Sequence, residues 1–203
     1  MSKQEVNDFF EEIVYGFILG DVEWEIALAK SGLEVQGDKR SYSGGGNYLC
    51  ALGLLCYTEF MGAIRLATFE PSSHSLFNAF FYLMGPAYEE FDKKLSKQPS
   101  MRNPNNKLSV YEVFRCGMAH EYFIKKSGAI YMLSGNTKPR VDDESTLHLA
   151  LSVHRAPVPC GIGILDNGQY FFVVEQYYED FAEACRKVHG EILRKPNPSI
   201  PKA

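Results

Sequence analysis

Seven apolar residues near the start of the chain, Val6, Phe9, Phe10, Ile13, Val14, Phe17 and Ile18, recur at the three- and four-residue steps of one helical face. They predict an amphipathic helix that ends at Gly20, with Asp21 capping a second helix to about Ser31. Val22, Trp24, Ile26 and Leu28 also alternate as a strand would, so helix and strand both stay open there. Residues 32–46 are polar and close on Gly44-Gly45-Gly46, which predicts a loop. Asn47 then caps a long central helix over 48–66. Ser72 and Ser73 precede a helix over 74–97, bent at Gly85-Pro86 because proline donates no interior hydrogen bond. Beyond the bend, Glu89/Lys93 and Glu90/Lys94 are acid-first i,i+4 pairs. A Pro- and Asn-rich loop at 98–108 leads to a capping-box pattern, Ser109-Val110-Tyr111-Glu112, and a helix reaching about Phe123.

After Gly128 the period changes. Ala129–Leu133 is a short strand, and Leu147, Leu149, Leu151 and Val153 alternate with His148, Ala150, Ser152 and His154. Segments 161–165 and 169–174 flank Asp166-Asn167-Gly168, the chemistry of a tight hairpin turn. Tyr178, Phe181, Cys185, Val188 and Ile192 mark a last amphipathic helix, ended before Pro196. The expected fold is mainly α: a helical bundle of five or six helices with a small antiparallel β-sheet of three or four strands. That β-rich insertion covers about 129–174 of a single domain spanning 1–203.

At 203 residues, 45% hydrophobic and 23% charged, the chain has the composition of a globular protein and not of a disordered one. Five cysteines without close pairs, most of them in apolar stretches, read as reduced buried thiols. The start has acids at Glu5 and Asp8 and no apolar leader. The greasiest run, Tyr48–Tyr57, is too short to span a bilayer and is soon followed by Glu59. A cytoplasmic location without membrane contact is therefore expected. Net charge is −4, yet Lys93 to Arg140 holds ten Lys or Arg against only Glu112 and Glu121, a local +8. Gathered on one face, those side chains would attract phosphate; spread along a solvated loop, they would not.

Chemistry concentrates in YEVFRCGMAHEYF. The Arg115 guanidinium suits phosphate oxygens, and His120 exchanges a proton near neutral pH. Five residues of regular α-helix turn through about 500° and rise about 7.5 Å, so the two side chains diverge by about 140°. Focusing both on one substrate requires long reach, an irregular turn at Gly117, or a second subunit. Alternatively, Arg115 pairs with Glu59, a carboxylate too costly to leave alone in the greasiest helix. Sequence separates neither outcome.

The Arg115-x4-His120 spacing, beside a well-capped helix start in a helical bundle, resembles the HEPN superfamily. That resemblance implies a compact, often homodimeric bundle, and in catalytic members a metal-independent ribonuclease. Arg115 would then contact phosphate while His120 serves as the motif histidine. By their own positions, and not from the resemblance, Glu121 and Tyr122 are candidates to orient His120, Glu59 to orient Arg115, and Lys125 and Lys126 to bind RNA. The family often has a polar residue, frequently Asn, directly after the arginine; here that place holds Cys116. Cys116 and the overall acidity speak for a non-catalytic binding or regulatory member, with RNA or a protein as partner. The resemblance follows helix order over 1–125 and the last helix, and not the strands at 129–174.

No cofactor or metal is expected. His148 and His154 share a strand face, but six residues separate them by about 20 Å, too far for one ion. Cys160 adds a ligand type without a site, and Cys185/His189 at i,i+4 make only two ligands. Gly44-Gly45-Gly46 lacks the spacing of a dinucleotide loop.

Overall fold

The computed structural model describes residues 1–30, 33–34, 41–42, 46–100, 103, 105–125, 128–132, 160–165 and 168–201. It is mostly helical, with a small sheet beside the bundle. The first helical segment, α1 (Lys3–Phe9), starts at a capping box between Ser2 and Glu5. It passes without interruption through a π-helical stretch, Phe10–Leu19, into α2 (Gly20–Lys30). Gly20 does not end the helix: its φ and ψ of −61° and −42° are helical. The Asp21 carboxylate accepts a hydrogen bond from Tyr57 Oη at 3.1 Å.

The π-helical stretch also changes which residues are buried. Its i→i+5 bonds widen each turn, so residues four apart stay aligned. Val6, Phe10, Val14, Ile18 and Val22 form the buried row, while Ile13 and Phe17, predicted on the same face, are exposed.

The polar stretch after α2 contains a two-residue antiparallel ribbon, β1 (Leu33–Glu34) with β2 (Ser41–Tyr42), where a plain loop was expected. The central helix α3 (Asn47–Leu66) is capped at Gly46, one residue earlier than predicted. A Cβ on Gly46 would lie 2.6 Å from Ala29 Cβ, so the end of α2 leaves no room for a capping side chain. Twenty residues long, α3 is the one helix among the described residues whose length and composition would suffice to cross a membrane. Half of its most apolar window is buried in the bundle.

Across α3 lies α4 (Ser73–Phe81), capped by Ser72 Oγ on the Ser75 N–H at 3.3 Å. A Cβ on Gly62 would sit 1.7 Å from the Leu76 carbonyl oxygen, which fixes how closely α3 and α4 cross. A 3₁₀ turn, Tyr82–Met84, and Gly85 separate α4 from α5 (Pro86–Leu95), so the bend predicted at Gly85-Pro86 is a full break between two helices. The motif helix follows, π-helical over Tyr111–Cys116 and α-helical over α6 (Gly117–Glu121).

The sheet holds β3 (Ala129–Tyr131), β4 (Ile162–Ile164) and β5 (Tyr170–Val173) in the order β3-β5-β4. β4 and β5 pair antiparallel as predicted, and Gly168 takes a left-handed φ of 82°. β3, however, runs parallel to β5, so the sheet is mixed and not antiparallel throughout. Parallel neighbours need a connection of a dozen or more residues, and the chain between Tyr131 and Tyr170 is long enough. Central β5 is buried at every position, which erases alternation from its sequence. The strand predicted at 147–153 lies outside the described residues. The last helix, α7 (Val174–Arg194), leaves β5 directly.

Hydrogen bonds join bundle and sheet inside the core. Thr58 Oγ1 donates to the Leu54 carbonyl at 2.8 Å and accepts from Tyr177 Oη at 2.9 Å. Tyr88 Oη donates to Asp180 at 2.6 Å and accepts the Gly161 N–H at 2.9 Å. Burial and Asp180 push the Tyr88 hydroxyl well above its ordinary pKa, so it remains a donor.

Candidate functional site

The motif helix is held at its start from two sides. Ser109 Oγ accepts the Glu112 N–H at 3.2 Å, the forward half of the predicted capping box. From α5, the buried Asp92 accepts the Val110 N–H at 2.8 Å and the Tyr82 hydroxyl at 2.6 Å. Its π-helical turn places Arg115 against α3.

There Arg115 Nε lies 2.9 Å from Glu59 Oε2, with the two side chains 19% and 17% exposed. The N–H does not point along that contact, so the pair is joined by charge without an aligned hydrogen bond. The guanidinium carbon stands 5.9 Å from the centre of the Tyr111 ring. Burial is the largest single influence on Arg115 and lowers its pKa. Glu59, with Cys56, Tyr111 and Cys116, outweighs it and leaves the pKa raised. Burial likewise raises the neighbouring Cys56 thiol, against the pull of Arg115. Tyr111 also meets the His74 ring at 5.5 Å and is hydrogen-bonded to Ser73. Tyr111 was not singled out in the sequence, although it precedes Arg115 by one helical turn; His74, forty-one residues away, carried no signal.

His120 is exposed and takes part in no hydrogen bond, ion pair or ring contact found among the described residues. Arg115 and His120 thus occupy different surroundings, the one enclosed by α3 and Tyr111 and the other in solvent.

Beyond His120 the chain folds back on its own helix. Tyr122 caps α6 in the left-handed conformation, φ 59° and ψ 22°, and its side chain is 79% exposed. Residues 123–125 return over Gly117, where a Cβ would lie 2.7 Å from the Phe123 carbonyl oxygen. The glycine inside the motif therefore has a structural purpose. The fold-back buries Lys125, whose side chain is 7% exposed, with Nζ 3.1 Å from Glu121 and 3.9 Å from Glu112. Glu112 also accepts from Ser100 Oγ at 2.7 Å. Lys125 and Glu121 therefore serve an internal ion pair; Lys126 lies outside the described residues.

What the fold-back presents outward is aromatic. Tyr122 stacks on Tyr48 with ring centres 6.4 Å apart, and Tyr48 Oη donates to the Met118 carbonyl. Leu49 and Phe123 are 58% and 52% exposed. A sequence search for chemistry passes over such residues because nothing in their type marks them as exposed.

Metal-binding groups of three or more His, Cys, Asp or Glu are absent among the described residues. Cys160 is buried and donates to the Ile162 carbonyl at 3.0 Å; His189 lies between Tyr15 and Asn7. His148 and His154 lie outside the described residues. A cleft lined by Ala67, Thr68, Phe69, Glu70 and Pro201 contains none of the motif residues.

The chain matches no protein-family model, and no curated protein or solved structure is significantly similar to it. The likeness to HEPN proteins thus rests on the motif residues and helix order alone.

Proposed function

We propose that the chain is a non-catalytic binding module on a HEPN-like helical scaffold, directed at a protein partner. The observation that carries this reading is the Arg115–Glu59 contact: the motif arginine neutralises a largely buried carboxylate. Lys125 is likewise taken up by Glu121 and Glu112. Nucleic-acid affinity comes mainly from cations free to replace counterions on phosphates, and these two are already paired. Beside them stand Tyr48, Leu49, Tyr122 and Phe123, the large side chains that anchor protein interfaces. A bulky residue held at positive φ costs about 1–2 kcal/mol, and such strain gathers at functional surfaces.

The test replaces Tyr122 with a photo-crosslinking phenylalanine analogue in living cells. Discrete adducts that protease removes and nuclease leaves, lost on Leu49→Asp, are expected. Adducts that nuclease removes would overturn the protein-partner reading.

A second reading draws on the exposed His120 and on the fifth of the Arg115 side chain still open to solvent. In it, the chain is a homodimeric, metal-independent endoribonuclease whose subunits bring their motifs together. The ribose 2′-OH attacks the adjacent phosphate, the P–O5′ bond breaks, and Arg115 stabilises the charge on the phosphoryl oxygens. His120 moves a proton at the attacking or leaving oxygen, leaving 2′,3′-cyclic phosphate and 5′-hydroxyl ends. Light scattering decides the assembly: this reading requires a dimer at tens of micromolar, whereas 22.9 kDa particles remove it.

A further inference from the structure

Among the described residues, the rod formed by Lys3–Lys30 packs on the bundle along one side. It packs on α3 and α7 through Val6, Phe10, Val14, Ile18 and Val22, while Ile13, Phe17 and Trp24 are 39%, 60% and 78% exposed. Single exposed apolar residues are ordinary. A phenylalanine and the chain's one tryptophan, about two turns apart on the outward side of one helix, are the bulk on which interfaces are anchored. Between them lies Gly20, where a Cβ would meet nothing within 4 Å, so the backbone stays open to close approach.

Charge selects the occupant. The rod carries seven carboxylates and two lysines, and Lys30 is paired with Glu175 at 2.7 Å. Glu12, next to Ile13 on the outward side, is exposed. Asp21 and Glu23, close to Trp24 in sequence, are held by Tyr57 at 3.1 Å and Tyr178 at 2.5 Å. On the inner side, His189 joins Asn7 and Tyr15 at 2.9 and 3.0 Å, so the rod is pinned before any partner arrives. A second copy placed by a two-fold axis would set one acidic rod against another, which like charges oppose.

We infer that this face docks an amphipathic helix of a partner protein, with Lys or Arg flanking its apolar stripe. The apolar stripe covers Ile13, Phe17 and Trp24, and the cations meet the acidic rim.

Because Trp24 is the single tryptophan, its fluorescence reports this face alone. The full chain is titrated with a synthetic 18-residue amphipathic Leu/Lys helix. A saturable blue shift of Trp24 emission is expected, with affinity falling at least about fivefold between 0.05 and 0.5 M salt. Phe17→Asp should abolish the shift and Glu12→Lys should weaken it about threefold. Both variants lie at exposed positions, and unchanged circular dichroism establishes that they fold. No shift, or an equal shift with a Leu/Glu helix of the same pattern, would overturn the inference. So would sedimentation showing that Trp24 is already buried between two copies of the chain.

Discussion

Arg115 and Glu59, fifty-six residues apart in sequence, bring Nε and Oε2 to 2.9 Å at the junction of α3 and the motif helix. Each charge is about four-fifths buried, so removing one partner strands the other. Arg115→Ala or Glu59→Ala should cost about 2–3 kcal/mol of stability, less than a fully buried pair because solvent screens part of the contact. Arg115→Met with Glu59→Leu should recover most of that loss. A double-mutant cycle in urea should give a coupling of about 1–2 kcal/mol. Additive losses would mean that the pair does not hold the two helices together.

Two glycines make opposite predictions. Gly20→Ala enters helical backbone with open space around it and should stabilise the protein by about 0.5–1 kcal/mol. Gly62→Ala would drive its methyl group into the Leu76 carbonyl and should cost more than about 3 kcal/mol. Thermal unfolding of both variants checks the pair. Destabilisation by Gly20→Ala would mean that the helix ends there after all.

Gly20 also marks where sequence was misleading. Local punctuation was legible wherever local chemistry decides: Ser72 capping α4, the interruption at Gly85-Pro86, Ser109 starting the motif helix, the hairpin of β4 and β5. Gly20 and Asp21 carried the same signals, but the Tyr57 hydroxyl binds Asp21 and packing keeps the backbone helical. The widened turns of Phe10–Leu19 have no recognised sequence mark, so Ile13 and Phe17 were assigned to the buried face. The direction of β3 depends on a distant pairing with β5 that no local pattern records. At the site, the Glu59–Arg115 contact was anticipated from the cost of a lone carboxylate. The burial of Lys125 was not, because it depends on the turn at Tyr122.

Acid should weaken the attachment of α7 to the first helix. Burial lowers the pKa of His189 against a smaller opposing effect of Glu11, so the folded state favours the neutral ring stacked on Phe10. Between the lowered folded value and the ordinary value of about 6.5, the unfolded chain binds more protons, and stability rises with pH. The contribution is complete above about pH 6.5 and is lost as pH falls through the folded value. Urea unfolding from pH 7.5 to 5 should show a smaller acid loss for His189→Gln than for the parent chain. Equal slopes would remove His189 as the cause.

Tyr122 sets stability against binding. Tyr122→Gly relieves a left-handed backbone that glycine adopts freely and should raise stability by about 0.5–1 kcal/mol. The same change removes the outer ring of the Tyr48–Tyr122 stack and should abolish partner binding at that surface. Thermal unfolding beside partner capture reads both effects. A destabilised variant would show that the stack outweighs the strain.

Whether the motif arginine and histidine act on RNA is decided by incubating the pure protein with mixed-sequence RNA in EDTA, beside His120→Ala and Arg115→Lys. Arg115→Lys keeps a cation opposite Glu59, so loss of folding does not obscure the result. With Arg115 committed to Glu59 and His120 in solvent, the parent chain should yield no 2′,3′-cyclic phosphate ends above a buffer control. Cleavage by the parent chain that both substitutions abolish, leaving cyclic phosphate and 5′-hydroxyl ends, would contradict the non-catalytic reading.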